Sequence, residues 1–136
     1  MKSTLNSIML GELDALRVLL VLLDTQHKLI LNNDLFGLEA IVEDIQKANK
    51  TIAEIEMERR ALTKGEAMSK IIADLADEET ENNYNSVKNM LKELQLQKDT
   101  NEMLLKQNLT FTSKILNVIN PHREAKTYNS YGKFKK

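Results

Sequence analysis

Met9, Leu13, Leu16, Leu20, Leu23, His27 and Ile30 recur at alternating spacings of four and three. That spacing is the seam of a helix that packs lengthwise on another helix. Val18, Leu19, Val21 and Leu22 widen the stripe, which predicts two neighbours rather than one. The helix is expected over about residues 4–31, roughly 40 Å long at about 1.5 Å per residue. Asn32-Asn33-Asp34 then reads as a stop followed by a new N-cap, because short polar side chains capture the free amides of helix ends. A second seam follows through Leu38, Ile41, Ile45, Ala48, Ile52, Ile55, Arg59 and Leu62. So short a connection predicts that the second helix runs back antiparallel to the first.

Gly65 interrupts the pattern, and residues 66–75 are long enough for a short helix of their own. Asp77, Glu78, Glu79 and Glu81 cluster just before the next periodic segment, as expected where a helix dipole favours negative charge. A third long helix is predicted over about residues 80–119. Tyr84, Val87, Leu91 and Leu94 form its first line, with Lys98 and Asn101 following. Pro121 ends it, since proline lacks an amide hydrogen and clashes with the preceding turn. The expectation is an all-α fold: an antiparallel, coiled-coil-like bundle of three long helices within residues 1–120. Residues 121–136, without a core-forming stripe, are expected to be a flexible, basic and aromatic tail.

Composition supports this reading. Only 4 glycines and 1 proline occur in 136 residues, and a chain dominated by strong helix formers suits long helices. Lys plus Arg (19) nearly balances Asp plus Glu (20), so no net field draws the chain to nucleic acid or to an anionic membrane. The most apolar run, Leu16 to Leu23, is interrupted by Arg17 and is far shorter than the ~20 residues a bilayer demands. Glu12 and Asp14 upstream of it argue against a signal peptide. A cytoplasmic protein is expected.

The residues of catalysis are missing in any usable arrangement. There is no cysteine, hence no disulfide, thiolate metal site or thiol nucleophile. His27 and His122 are the only histidines and do not pair at metal-ligand spacing; His27 falls on the first seam as a packed or hydrogen-bonded residue. The acids before the third helix lack the alternating oxygen ligands and the glycine of a calcium loop. The four isolated glycines make no phosphate cradle. No enzyme, no metal and no cofactor are expected. Arg59 occupies a seam position and has two readings: a partner to a carboxylate on another helix, fixing register, or a packed stem whose guanidinium reaches water.

Two segments bear on binding. The tail sets Arg123, Lys126, Lys133, Lys135 and Lys136 against Glu124, among Tyr128, Tyr131 and Phe134. Such composition can stack on single-stranded nucleic acid, but without a supporting groove it better fits a peptide that docks on a protein. The stretch from Leu104 to Ile119 is more apolar than one packed stripe requires. Leu104, Phe111, Ile115 and Val118 make one line, which Leu105, Leu109, Leu116 and Ile119 broaden. Either this helix is buried widely within the bundle, or its surplus is an exposed patch of the kind that marks a binding site.

These features together resemble the FlgN family of flagellar export chaperones, over nearly the whole chain. The resemblance rests on Leu16, Leu19, Leu20 and Leu23 in the first helix and on the break at Asn33-Asp34-Leu35. It continues through Ile55-Glu56-Met57-Glu58-Arg59, then Asn101 with Leu104-Leu105 and Asn108, and Thr127-Tyr128-Asn129-Ser130-Tyr131-Gly132. It implies a client-binding face of Leu104, Leu105, Asn108, Leu109, Phe111, Ile115, Leu116 and Ile119. The implied clients are the hook–filament junction (hook-associated) proteins, and Tyr128 would dock on the cytoplasmic domain of the export gate. The acidic stretch between Gly65 and Glu81 matches nothing diagnostic of the family. Two alternatives stand beside it: a chaperone for another flagellar or type III secretion client, and a structural coiled-coil protein that self-associates.

Overall fold

A seam repeated every seven residues organises each long helix. In a computed structural model that describes residues 1–108, four helices follow in order: α1 (Lys2–Leu31), α2 (Leu35–Thr63), α3 (Met68–Leu75) and α4 (Glu78–Asn108). On α1, Met9, Leu16, Leu23 and Ile30 stand seven apart and are all buried. On α2, Leu38, Ile45, Ile52 and Arg59 repeat likewise, buried or half-buried. On α4, Thr80, Val87, Leu94 and Asn101 are buried, with Asn83, Met90, Gln97 and Leu104 half-buried beside them. Sustained heptads of this kind keep helices side by side over their whole length.

The expectation of a bundle of three long helices is corrected on one point: the described residues form four helices, the short α3 standing between α2 and α4, while the three long helices alternate in direction along the chain. The α1–α2 pair is antiparallel, with Glu12 facing Arg59 and Ile30 facing Leu38. By contrast α1 and α4 run parallel: Lys2 meets Asp77, Asn6 meets Asn83 and Gln26 meets Asn101. The return to the starting end is made by α2 and the short α3. Helix α1 packs closely on both α2 and α4, whereas α2 and α4 do not approach each other as closely. The two neighbours expected for α1 are therefore present, but Val18 and Val21 do not serve them. Both face solvent, while Leu5, Glu12 and Gln26 on one edge and Leu13, Leu20 and His27 on the other flank the central seam.

Local chemistry sets each boundary. Helix α1 ends in a paired-bond cap: Asn33 adopts a left-handed φ of 54°, its amide donates to the Ile30 carbonyl and the Asp34 amide to that of Leu29. Asp34 then caps α2, its carboxylate accepting from the Gly37 amide at 2.9 Å. Gly37 suits this corner because a Cβ there would lie 2.6 Å from Leu29 Cδ2 and 2.9 Å from Asp34 Oδ2. Lys64 and Gly65, both left-handed, finish α2. Ile71 and Ile72 of α3 are buried in the main core with Leu5, Met9 and Val87, so α3 closes the bundle at the end where α1 begins. Asp77 starts α4 by accepting from the Thr80 amide at 3.0 Å and the Thr80 hydroxyl at 2.9 Å. Those two bonds, with Lys2 nearby, hold its carboxyl below the ordinary carboxylate range.

Along α4 the packed line differs from the expected one. Val87, Leu94 and Asn101 are buried as anticipated, but Leu91 and Lys98 are exposed and Met90 and Gln97 take the adjoining positions. The reason is the one-sided packing of α4: it lies on α1 and not closely on α2, so the flank that another long helix would cover stays open. Among the described residues no helix is long and apolar enough to cross a membrane.

Candidate functional site

The expected binding face begins at the end of the bundle where α1 turns into α2 and α4 arrives alongside. Three layers build that end. The main apolar core rises along α4 as far as Leu94. Above it lies a polar layer made by Gln26 and His27 of α1 with Gln97 and Asn101 of α4. Above that is a small apolar cluster of Ile30, Leu38 and Leu105, joined by Leu29 and Leu104.

Asn101 is the hub of the polar layer. It is 1% exposed, and its amide nitrogen donates to the Leu23 carbonyl and to Gln26 Oε1, both at 2.9 Å. Its Oδ1 accepts from Gln97 Nε2 at 3.0 Å. Gln97 Nε2 also lies 3.2 Å from His27 Nδ1, a bond that requires the ring nitrogen to carry a lone pair. With a proton on Nδ1, His27 would donate instead to Asn101 Oδ1, 3.3 Å away. Every polar atom of Asn101 is thus engaged, the condition under which a buried amide sets register rather than weakening a core. Asn6 and Asn83 form a second such link at 3.1 Å near the other end. His27 is the hydrogen-bonded seam residue its position implied. The reach of Asn101 across to α1 was not read from the sequence, although its place seven residues after Leu94 was the available signal.

Glu12 and Arg59 answer the question of the seam arginine. Arg59 Nε lies 3.8 Å from Glu12 Oε1, and Arg59 also reaches Glu56 at 3.6 Å. The Glu12 separation is too long for a hydrogen bond, and Arg59 Nε is buried without one. Burial pushes the Glu12 carboxyl above its ordinary value, Arg59 opposes the shift and Glu56 adds to it.

The predicted client-binding residues divide at the end of α4. Leu105 is fully enclosed, 0% exposed against Ile30 and Leu38. Leu104 is half-buried against the same cluster. Asn108 is the last residue of α4. Leu109, Phe111, Ile115, Leu116 and Ile119, and likewise Tyr128, lie outside the described residues. Register fixes how much of α4 the α1–α2 hairpin can accompany: partners on α4 lead those on α1 by 70 to 78 positions. Leu31, where α1 ends, is therefore level with about residue 107 of α4. Among the described residues no group of three or more His, Cys, Asp or Glu could hold a metal ion.

The described helices thus form a scaffold in which polar contacts fix the register of α4 on α1. The model of the family described as FlgN protein matches residues 1–136, the whole chain. The chain belongs to the FlgN family, a family of flagellar export chaperones and not of enzymes. Comparison with curated proteins gives no match, and neither does comparison with solved structures.

Proposed function

We propose that this protein is a cytoplasmic chaperone for the hook–filament junction proteins of the flagellum. It holds their helical terminal segments against the apolar continuation of α4 and delivers them to the cytoplasmic domain of the export gate. The observation that supports this reading is the register of α4 on α1. The buried heptad line of α4, Thr80–Val87–Leu94–Asn101, has Asn108 and Ile115 as its next members, and the companion line from Leu104 continues with Phe111 and Val118. The hairpin that pairs with α4 ends at the level of about residue 107, and the apolar positions of residues 109–119 come after that level in the sequence. Leu104, Asn108, Leu109, Phe111, Ile115, Leu116 and Ile119 form the client face, and Leu105 anchors its root from within the core.

Subunits that polymerise through helical ends must be kept from doing so before export. A lent amphipathic helix satisfies their apolar faces without nucleotide hydrolysis, and competition at the gate, with Tyr128 as the docking residue, then releases them. A complex of this kind buries roughly 1,200–2,000 Å². Capture of partners by the full chain from a flagellated host, identified by mass spectrometry, tests the assignment. Hook–filament junction proteins are expected; recovery of the filament cap protein or flagellin reassigns the client. The same apolar positions would suit a second copy of the chain, and a tight dimer in sedimentation at all concentrations would favour that reading.

A further inference from the structure

The hairpin tip carries an exposed apolar surface at the end of the bundle where Leu105 packs on Ile30 and Leu38. Leu31 is 56% exposed, Leu35 49% and Phe36 86%. They surround a three-residue turn and adjoin the buried residues Ile30 and Leu38, on which Leu105 sits. Leu31 is the last residue of α1, next to the buried Ile30 on which Leu105 packs, and α4 is described only as far as Asn108. The other exposed apolar side chains of α1 and α2, among them Leu10, Val18, Val21 and Met57, belong to the flanks of the bundle and not to this end.

We infer that this tip patch is the resting place of the chain's own residues 109–119 when no client is bound. Three observations converge on that occupant. The segment follows directly from Asn108, within a turn of the level of Leu31. It carries Leu109, Phe111, Ile115, Leu116, Val118 and Ile119 among eleven residues, an apolar content that matches an apolar patch. Its tether gives it an effective concentration on the order of millimolar at the tip, above that of any free partner. The inference rests on the reading of residues 109–119 as the client face and adds its regulation: the empty chaperone covers its own stripe, and a client must displace the tip to take it. Such self-docking is weak enough to reverse because the patch offers only three side chains.

Amide hydrogen exchange on the full chain tests this without a client. Leu35 and Phe36 are exposed, so the double variant Leu35→Ser, Phe36→Ser keeps the bundle folded, which unchanged exchange over residues 84–97 verifies. Amides of residues 109–119 are expected to exchange about ten-fold faster in the variant than in the natural chain. Equal exchange in the two proteins overturns the inference. So does protection that grows with protein concentration, which would place a second copy on the patch. Either failure leaves client capture untouched, since the lysate experiment examines that separately.

Discussion

Replacing Asn101 by alanine removes the side chain that donates from α4 to both the Leu23 carbonyl and Gln26 Oε1 of α1, and the consequence can be worked from the bonds it makes. Gln26 is 5% exposed, so its Oε1 loses the Asn101 donor in a place water does not reach. Gln97 is half-buried and can turn its amide outward. An orphaned buried acceptor costs about 1–3 kcal/mol, and the lost bond to the Leu23 carbonyl and the small void add to it. The expected loss is about 2–4 kcal/mol in urea unfolding followed by circular dichroism, or a Tm lower by roughly 8–15 °C for a chain of this size. A control separates polarity from packing. Converting Gln26, Gln97 and Asn101 together to leucine should recover most of the stability, because an apolar layer replaces a satisfied polar one. It should also lose the single register, giving self-association in sedimentation. Asn101→Ala within about 0.5 kcal/mol of the natural protein would refute the account of the polar layer.

Other outcomes follow from the same physics. Glu12 has a folded pKa above its ordinary value of 4.5, so the folded state holds the proton more tightly and stability declines as pH rises through that folded value. Glu12→Gln should therefore gain on the natural protein in thermal melts as pH rises above the ordinary value of 4.5, whereas a lead that shrinks with pH contradicts the assignment. Arg59→Leu removes only the cation beside a buried carboxylate and should destabilise by about 2–4 kcal/mol, measured by urea unfolding at neutral pH. Asp77 behaves oppositely to Glu12. Its lowered pKa stabilises the fold above its ordinary value of 3.8 and ceases to as pH falls through the folded value, so Asp77→Asn should flatten the acid limb of the stability profile. Ala76 closes α3 with a left-handed φ of 49°, and Ala76→Gly should relieve up to about 1 kcal/mol, seen as a higher Tm.

The hairpin was legible in the sequence because its signals are local. Asn33 and Asp34 announce a stop and a start, and the bond partners they find are those their side chains favour. The heptads of α1 and α2 were legible for the same reason. What escaped depends on the neighbour. A wide apolar stripe such as Tyr84–Leu91 does not reveal which edge will be covered, and the absence of close α2–α4 packing moved the buried line to Met90 and Gln97. Leu104 and Leu105 are adjacent and equally apolar, yet only the register against Ile30 and Leu38 places the second inside. The short helix before α4 was legible as a possibility from Gly65 and residues 66–75, but not its task of closing the core with Ile71 and Ile72. The parallel course of α4 along α1 follows from the return of the chain along α2.

The proposed function stands or falls on whether the apolar residues between 109 and 119 take up a client helix. Isothermal titration of a hook–filament junction protein into the full chain, with Phe111→Asp and Ile115→Asp beside the natural sequence, addresses it directly. The account predicts binding weakened by at least about 30-fold, equivalent to about 2 kcal/mol, with the melting temperature unchanged. Undiminished affinity in both variants, or a collapse of the melting temperature, would mean that these residues serve no client or belong to the protein's own core.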